Sequence, residues 1–94
     1  MDILLELKKM VLSELRKENV KLYLFGSWAK GLQRRTSDID LAIDCEENRR
    51  DVIGRLREQL EESCFPYRVD VVDMREIGEG FAEKIRREGI VWKD

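Results

Sequence analysis

The sequence predicts an α/β fold of the α+β kind: a mixed β-sheet of three to four strands covered by helices on one side. Three observations predict it. Apolar and polar residues alternate over residues 20–25, 37–44 and 67–72, the two-residue period of half-buried strands. Between these stretches apolar residues recur every three to four positions, the period of helices with one core-facing side. The two patterns interleave along the chain as α-β-(short α)-β-α-β-α-β, which calls for one small sheet and its covering helices.

The helix predicted over residues 3–18 starts after Asp2, a good cap. Leu4, Leu7, Val11 and Leu15 form its stripe, widened by Ile3, Leu5, Met10 and Leu12. Asn19 is a stop. In residues 20–25, Val20, Leu22 and Leu24 point one way and Lys21, Tyr23 and Phe25 the other. Gly26 permits a tight turn, and Ser27 is read as the cap of a short helix over residues 28–32. Residues 33–36 read as an exposed loop. In the next strand Ile39, Leu41 and Ile43 share one face, with Asp38, Asp40, Ala42 and Asp44 on the other.

A helix over residues 46–62 follows, with Val52, Ile53, Leu56 and Leu60 as its stripe. Gly54 interrupts it at about 1 kcal/mol relative to Ala, with no reason visible in the sequence. Cys64, Phe65 and Pro66 break it, and the strand over residues 67–72 carries Arg68, Asp70 and Val72 on one side. Asp73 opens the turn into a helix over residues 75–88, its inner side marked by Ile77, Phe81 and Ile85. Gly89 ends it, and residues 90–92 form a short last strand.

The 94 residues are expected to form a single domain, 1–94, with one core. Charged residues make up 40% of the chain yet the net charge is −2, so no global pull toward nucleic acid or a membrane surface exists. Two cysteines without any histidine make no zinc site and read as reduced thiols. No apolar stretch approaches a membrane span and nothing resembles a signal peptide, so a cytoplasmic protein is expected.

The chemistry is concentrated in residues 20–44. Acids inside strands are disfavoured, which singles out Asp38, Asp40 and Asp70. Asp-x-Asp spacing puts two carboxylates on one side of a strand, about 7 Å apart from the strand rise. If the third strand lies beside the second, Asp70 joins them. Three oxygen donors suit Mg²⁺ or Mn²⁺ rather than a thiolate-seeking metal. With no histidine, a carboxylate would have to activate an acceptor hydroxyl. The bland alternative is three solvated acids on an open sheet face. Gly26 and Ser27 would hold a nucleotide phosphate on backbone amides and a hydroxyl, or simply turn the chain. Lys30, Arg34 and Arg35 are candidate phosphate ligands, with an ordinary charged loop as the alternative for both arginines. Trp28 is read as packing, with base stacking as the alternative. Arg68 would neutralise its acidic neighbours.

Gly26-Ser27, ten residues, then Asp38-Ile39-Asp40, with Asp70 inside RVDVV, resembles the minimal nucleotidyltransferases of the DNA polymerase beta-like superfamily. The stretch LFGSWAKGLQRRTSDIDLAI and the closing REGIVW carry the likeness along nearly the whole chain. The resemblance implies the polymerase beta-like nucleotidyltransferase fold and two metal ions, Mg²⁺ with Mn²⁺ as a substitute, held by Asp38, Asp40 and Asp70. It implies Asp70 as the residue that helps deprotonate the acceptor. Gly26, Ser27 and Lys30 would hold the triphosphate of ATP. Two positions depart from the common pattern: Trp28 stands where Arg or Tyr is frequent, and Lys30 where Arg is frequent. Lys keeps the charge without the bidentate fork.

Members of this size resemble the antitoxin half of HEPN–MNT toxin–antitoxin pairs. The implied activity is AMP transfer from ATP to a tyrosine hydroxyl of the partner HEPN toxin. Two alternatives stand beside it: a non-catalytic antitoxin that neutralises its toxin by complex formation, and a nucleotidyltransferase acting on a small-molecule hydroxyl. The short chain leaves little room for an acceptor-binding domain, so the acceptor is expected to bring its own surface, met by the first helix or the last strand. A homo-oligomer is compatible with the small core. A nucleic-acid substrate is disfavoured by the negative charge and the lack of a basic stripe.

Overall fold

The computed structural model describes residues 2–34 and 36–94. The elements follow the predicted order: α1 (Ile3–Leu15), β1 (Lys21–Phe25), α2 (Ser27–Lys30), β2 (Ile39–Asp44), α3 (Arg50–Glu62), β3 (Val69–Asp73), α4 (Glu79–Glu88) and β4 (Ile90–Lys93). The strands form one sheet in the order β3-β2-β1-β4. β1 runs antiparallel to both β2 and β4, while β2 and β3 are parallel.

Asp2 caps α1 as expected, its carboxylate accepting the Leu5 N–H at 3.2 Å. Leu7, Val11 and Leu15 are completely buried along one stripe. They meet Val52, Ile53, Leu56 and Leu60 of α3 over the Leu22, Leu24, Ile39, Leu41 and Ile43 face of the sheet. Each such side chain contributes roughly 1.5–3 kcal/mol by leaving water. α1 stops at Leu15, short of the predicted residue 18. Lys93 reaches back from β4 to donate to the carbonyls of Glu18 and Val20 at 2.9 and 3.0 Å. Those oxygens, beyond the helix end, are thus satisfied by a side chain rather than by continuing the helix.

The expected one-sided cover is corrected. α4 packs on the opposite face, where Tyr23 and Ala42 meet Met74, Ala82 and Ile85. Ala42 was read with the polar face, but two small residues, Ala42 and Ala82, both almost fully buried, let helix and sheet approach closely. Arg86 of α4 clamps the contact, its Nε donating to Asp44 Oδ2 at 3.2 Å. α4 also begins later than predicted. The Asp73 carboxylate accepts the Arg75 N–H at 2.9 Å and its carbonyl accepts the Glu76 N–H at 3.0 Å, so residues 74–78 are a turn. α3 likewise starts at Arg50 rather than residue 46, because Asn48 Oδ1 takes the Arg50 N–H at 3.0 Å. Only Asp51 of the nearby acids therefore lies in its first turn.

Both sheet edges are distinct. On β3, Arg57 donates two hydrogen bonds to the Val71 carbonyl, at 3.2 and 2.7 Å, and blocks that edge position. No helix among the described residues is long and apolar enough to cross a membrane.

Candidate active site

The site is built where β1 ends and β2 begins. Gly26 follows β1 with φ +79° and ψ −158°, a conformation open essentially to glycine alone. A side chain there would also collide with the Asp40 carboxylate, whose Cγ would lie 3.2 Å from an added Cβ. The glycine backbone and the Asp40 carboxylate are thus in direct apposition. Gly26, not Ser27, is the N-cap of α2, so the expected Ser27 cap is corrected: Ser27 is the first helical residue and the helix start carries no side-chain cap hydrogen bond.

Asp40 lies inside β2, half-buried, paired with Phe25 on β1 and with Asp70 on β3. In-register neighbours project from the same side of a sheet, so Asp40 and Asp70 stand side by side. Asp38 sits just before the first ladder residue of β2 rather than inside the strand. Ser37 holds the approach to it: its hydroxyl accepts the Arg34 N–H at 2.8 Å and its carbonyl accepts the Trp28 indole N–H at 3.2 Å. Trp28 also stands edge-on to Tyr67, 5.1 Å between centroids, and packs against the main core. Packing is therefore its role, as expected.

Electrostatics record the convergence. The Asp40 carboxyl is held above its ordinary range, first by partial burial, then by the negative charge of Asp70, then by that of Asp38. Arg68 offers limited relief. Its Nε is 3.9 Å from Asp38 Oδ2, and both side chains are largely in solvent. Among the described residues no three or more Asp, Glu, Cys or His side chains are closed to metal-binding distances. The donor set nonetheless fits a hard divalent cation. It is all oxygen, Asp40 and Asp70 sit in register on adjacent strands with Asp38 just before one of them, and its mutual repulsion is what a cation would neutralise.

The Lys30 Nζ pairs with Glu88 of α4 at 3.5 Å. Together with Phe25, Gly26, Phe81 and Lys84 these residues line an open cleft of about 210 Å³. Sequence reasoning missed Lys84 and Glu88. The available signal was Phe81, Lys84 and Glu88 at helical spacing on one face of α4. Arg34 is exposed in the loop, and Arg35 lies outside the described residues.

A sequence model of the family described as "Polymerase beta, Nucleotidyltransferase" matches residues 8–93. The chain belongs to this family. Among relatives of this chain, the Haemophilus influenzae protein named "Probable protein adenylyltransferase MntA" is 42% identical over 72 residues, 74% of this chain. The chain spans 62% of that relative's length. A solved structure described as "putative minimal nucleotidyltransferase" is 32% identical with a TM-score of 0.76, covering 96% of this chain and 95% of the other. A chain from the crystal structure of a toxin–antitoxin with AMP-PNP is 27% identical with a TM-score of 0.70, covering 90% of this chain and 71% of the other.

Proposed function

We propose that residues 1–94 act as one minimal nucleotidyltransferase domain, cytoplasmic, that transfers AMP from ATP to a tyrosine hydroxyl of a partner HEPN toxin. The observation that carries this is the in-register pairing of Asp40 with Asp70, beside a glycine turn that admits no side chain. The name of the Haemophilus relative and the toxin–antitoxin bound to AMP-PNP support the same activity.

Asp38, Asp40 and Asp70 would hold Mg²⁺ or Mn²⁺. When bound, two such ions supply charge neutralisation for the attacking and leaving oxygens of an in-line displacement. The Gly26 amide and Ser27 would hold the triphosphate, with its α-phosphorus toward Asp40. Lys30 would exchange its exposed Glu88 partner for phosphate, a trade between weakly held surface contacts. The tyrosine oxygen attacks the α-phosphorus as the bond to the β-phosphate oxygen breaks. Pyrophosphate leaves, and the phenolic proton passes to the Asp70 carboxylate, which stands exposed on the outermost strand. The experiment is transfer of label from α-labelled ATP, with Mg²⁺, to the protein encoded by the adjacent gene. Label on that protein, abolished by Asp40→Asn, is expected; an unlabelled partner overturns the proposal.

One feature favours a second reading, neutralisation by binding alone: Lys30 is already engaged by Glu88. An Asp38→Ala/Asp40→Ala double variant decides between them. Loss of neutralisation with binding retained supports transfer, and full neutralisation supports the complex.

A further inference from the structure

The sheet guards one of its edges and leaves the other open. On β3 the Arg57 guanidinium occupies the outward Val71 carbonyl with two hydrogen bonds, at 3.2 and 2.7 Å. β4 forms the opposite edge, and among the described residues no side chain hydrogen-bonds its backbone. An open edge strand is a template for another strand, and a lysine projecting from it is a common guard. Lys93 is not placed as a guard: its Nζ turns inward to the Glu18 and Val20 carbonyls. Ile90 and Val91, both large and apolar, are 45% and 49% exposed. The register with β1 slips only beyond Val91, so these two residues stand in the regular part of the strand.

We propose that β4 pairs with β4 of a second copy of this chain, antiparallel about a two-fold axis, joining the two sheets into one. Ile90 is the partner of Leu24, on the sheet face covered by α1 and α3. Val91 is the partner of Tyr23, on the face covered by α4. The edge is therefore apolar toward both faces. A helix docked on either face would cover one of these residues, whereas a strand added in the plane of the sheet covers both. α1 contacts β4 and carries another exposed apolar side chain, Leu5.

Charge selects a second copy as the occupant. Arg87 and Glu88 precede the apolar segment, and Lys93 and Asp94 follow it. Glu88 is engaged by Lys30, and Lys93 by its own chain's carbonyls. Arg87 is left exposed at the leading end of the strand and Asp94 at the trailing end. An antiparallel pair sets leading end beside trailing end, so Arg87 of each copy meets Asp94 of the other, twice across the axis. A parallel pair would set each charge against its own kind. With a net charge of −2 per chain, long-range repulsion between copies is small. The contact is limited to a strand of four residues and its flanks, which places it at the weak end of protein interfaces.

The test is sedimentation equilibrium of the whole chain up to roughly 0.5 mM, with hydrogen exchange at the β4 amides and circular dichroism to establish that each variant folds. The mass should rise from 11.2 kDa toward twice that value, and exchange at β4 should slow as concentration rises. Val91→Lys places a cation on the edge of both copies and should raise the dimer Kd on the order of tenfold. Val91→Thr, neutral and β-branched, should raise it by less than about threefold. Arg87→Glu should weaken the dimer, and Arg87→Glu combined with Asp94→Arg should restore it. Wild type that stays monomeric throughout overturns the proposal. Protection of β4 that appears only with the protein encoded by the adjacent gene overturns it too, and assigns the edge to that partner. A dimer indifferent to Val91→Lys overturns the β4 assignment, and a charge exchange that restores nothing overturns the antiparallel alignment.

Discussion

Asp40 and Asp70 are direct partners across the parallel β2–β3 ladder, two carboxylates side by side on one sheet face. Partial burial, and then the like charge, raise the Asp40 pKa above its ordinary value near 3.8. The fold therefore works against itself at this point, a conflict that a bound cation would relieve.

The sign of the pH dependence follows. A carboxyl whose folded pKa is raised binds more protons folded than unfolded between the two values. Its contribution is fully present below the unfolded pKa and is lost as pH rises through the folded one. At neutral pH the ionised Asp40 is a net strain. Asp40→Asn should raise stability at pH 7 by up to about 0.5 kcal/mol, a small gain because the group is partly solvated. Urea unfolding of both proteins at pH 3 and pH 7 checks this: the variant's advantage should be absent at pH 3. Mg²⁺ should raise the Tm of wild type at pH 7 and do so less in the variant. An Asp40→Asn protein less stable than wild type at pH 7 would contradict the account.

Gly26 should tolerate no side chain. Gly26→Ala meets two obstacles together, a positive φ and the Asp40 carboxylate in the space its methyl needs. Strained backbone of this kind costs on the order of 1–3 kcal/mol. Denaturant unfolding should register that loss. Label transfer should fall further than stability does, because relief of the clash displaces Asp40.

The element order was legible because both periodicities are clean, and the Asp40–Asp70 pairing because acids stand out among strand residues. The element ends were less legible. Side chains that bond their own backbone set several of them: Asp73 to Arg75, and Asn48 to Arg50. The cleft was not legible at all. Phe25, Lys30, Phe81 and Glu88 come from three elements, and only α4 crossing to the second sheet face brings them together. That crossing depends on an alanine pair, Ala42 with Ala82, which no pattern of polarity announces.

Trp28 should act on the site from a distance. Its indole N–H holds the Ser37 carbonyl immediately before Asp38, and its ring packs on Tyr67. Trp28→Phe removes the donor and keeps most of the packing. The lost hydrogen bond should cost about 0.5–1.5 kcal/mol. The loop carrying Asp38 should loosen, so the Mg²⁺ concentration needed for half-maximal label transfer should rise while transfer at saturating Mg²⁺ stays near the wild-type level. An unchanged Mg²⁺ requirement would limit Trp28 to packing.

Gly54 marks the contrasting case. It lies in the middle of α3, exposed, with nothing within 4 Å of the space an added Cβ would occupy. Its backbone is ordinary helix, so neither a turn nor close packing demands glycine. The helix simply carries a residue that orders at high entropic cost. Gly54→Ala should stabilise the protein by about 1 kcal/mol. For a domain of this size that shift raises Tm by roughly 4–8 °C. Label transfer should be unchanged, because the position is on the solvent side of a helix that covers the face opposite the carboxylates. A drop in transfer with stability gained would mean instead that this exposed helix face meets the partner, where a methyl group matters only in the complex.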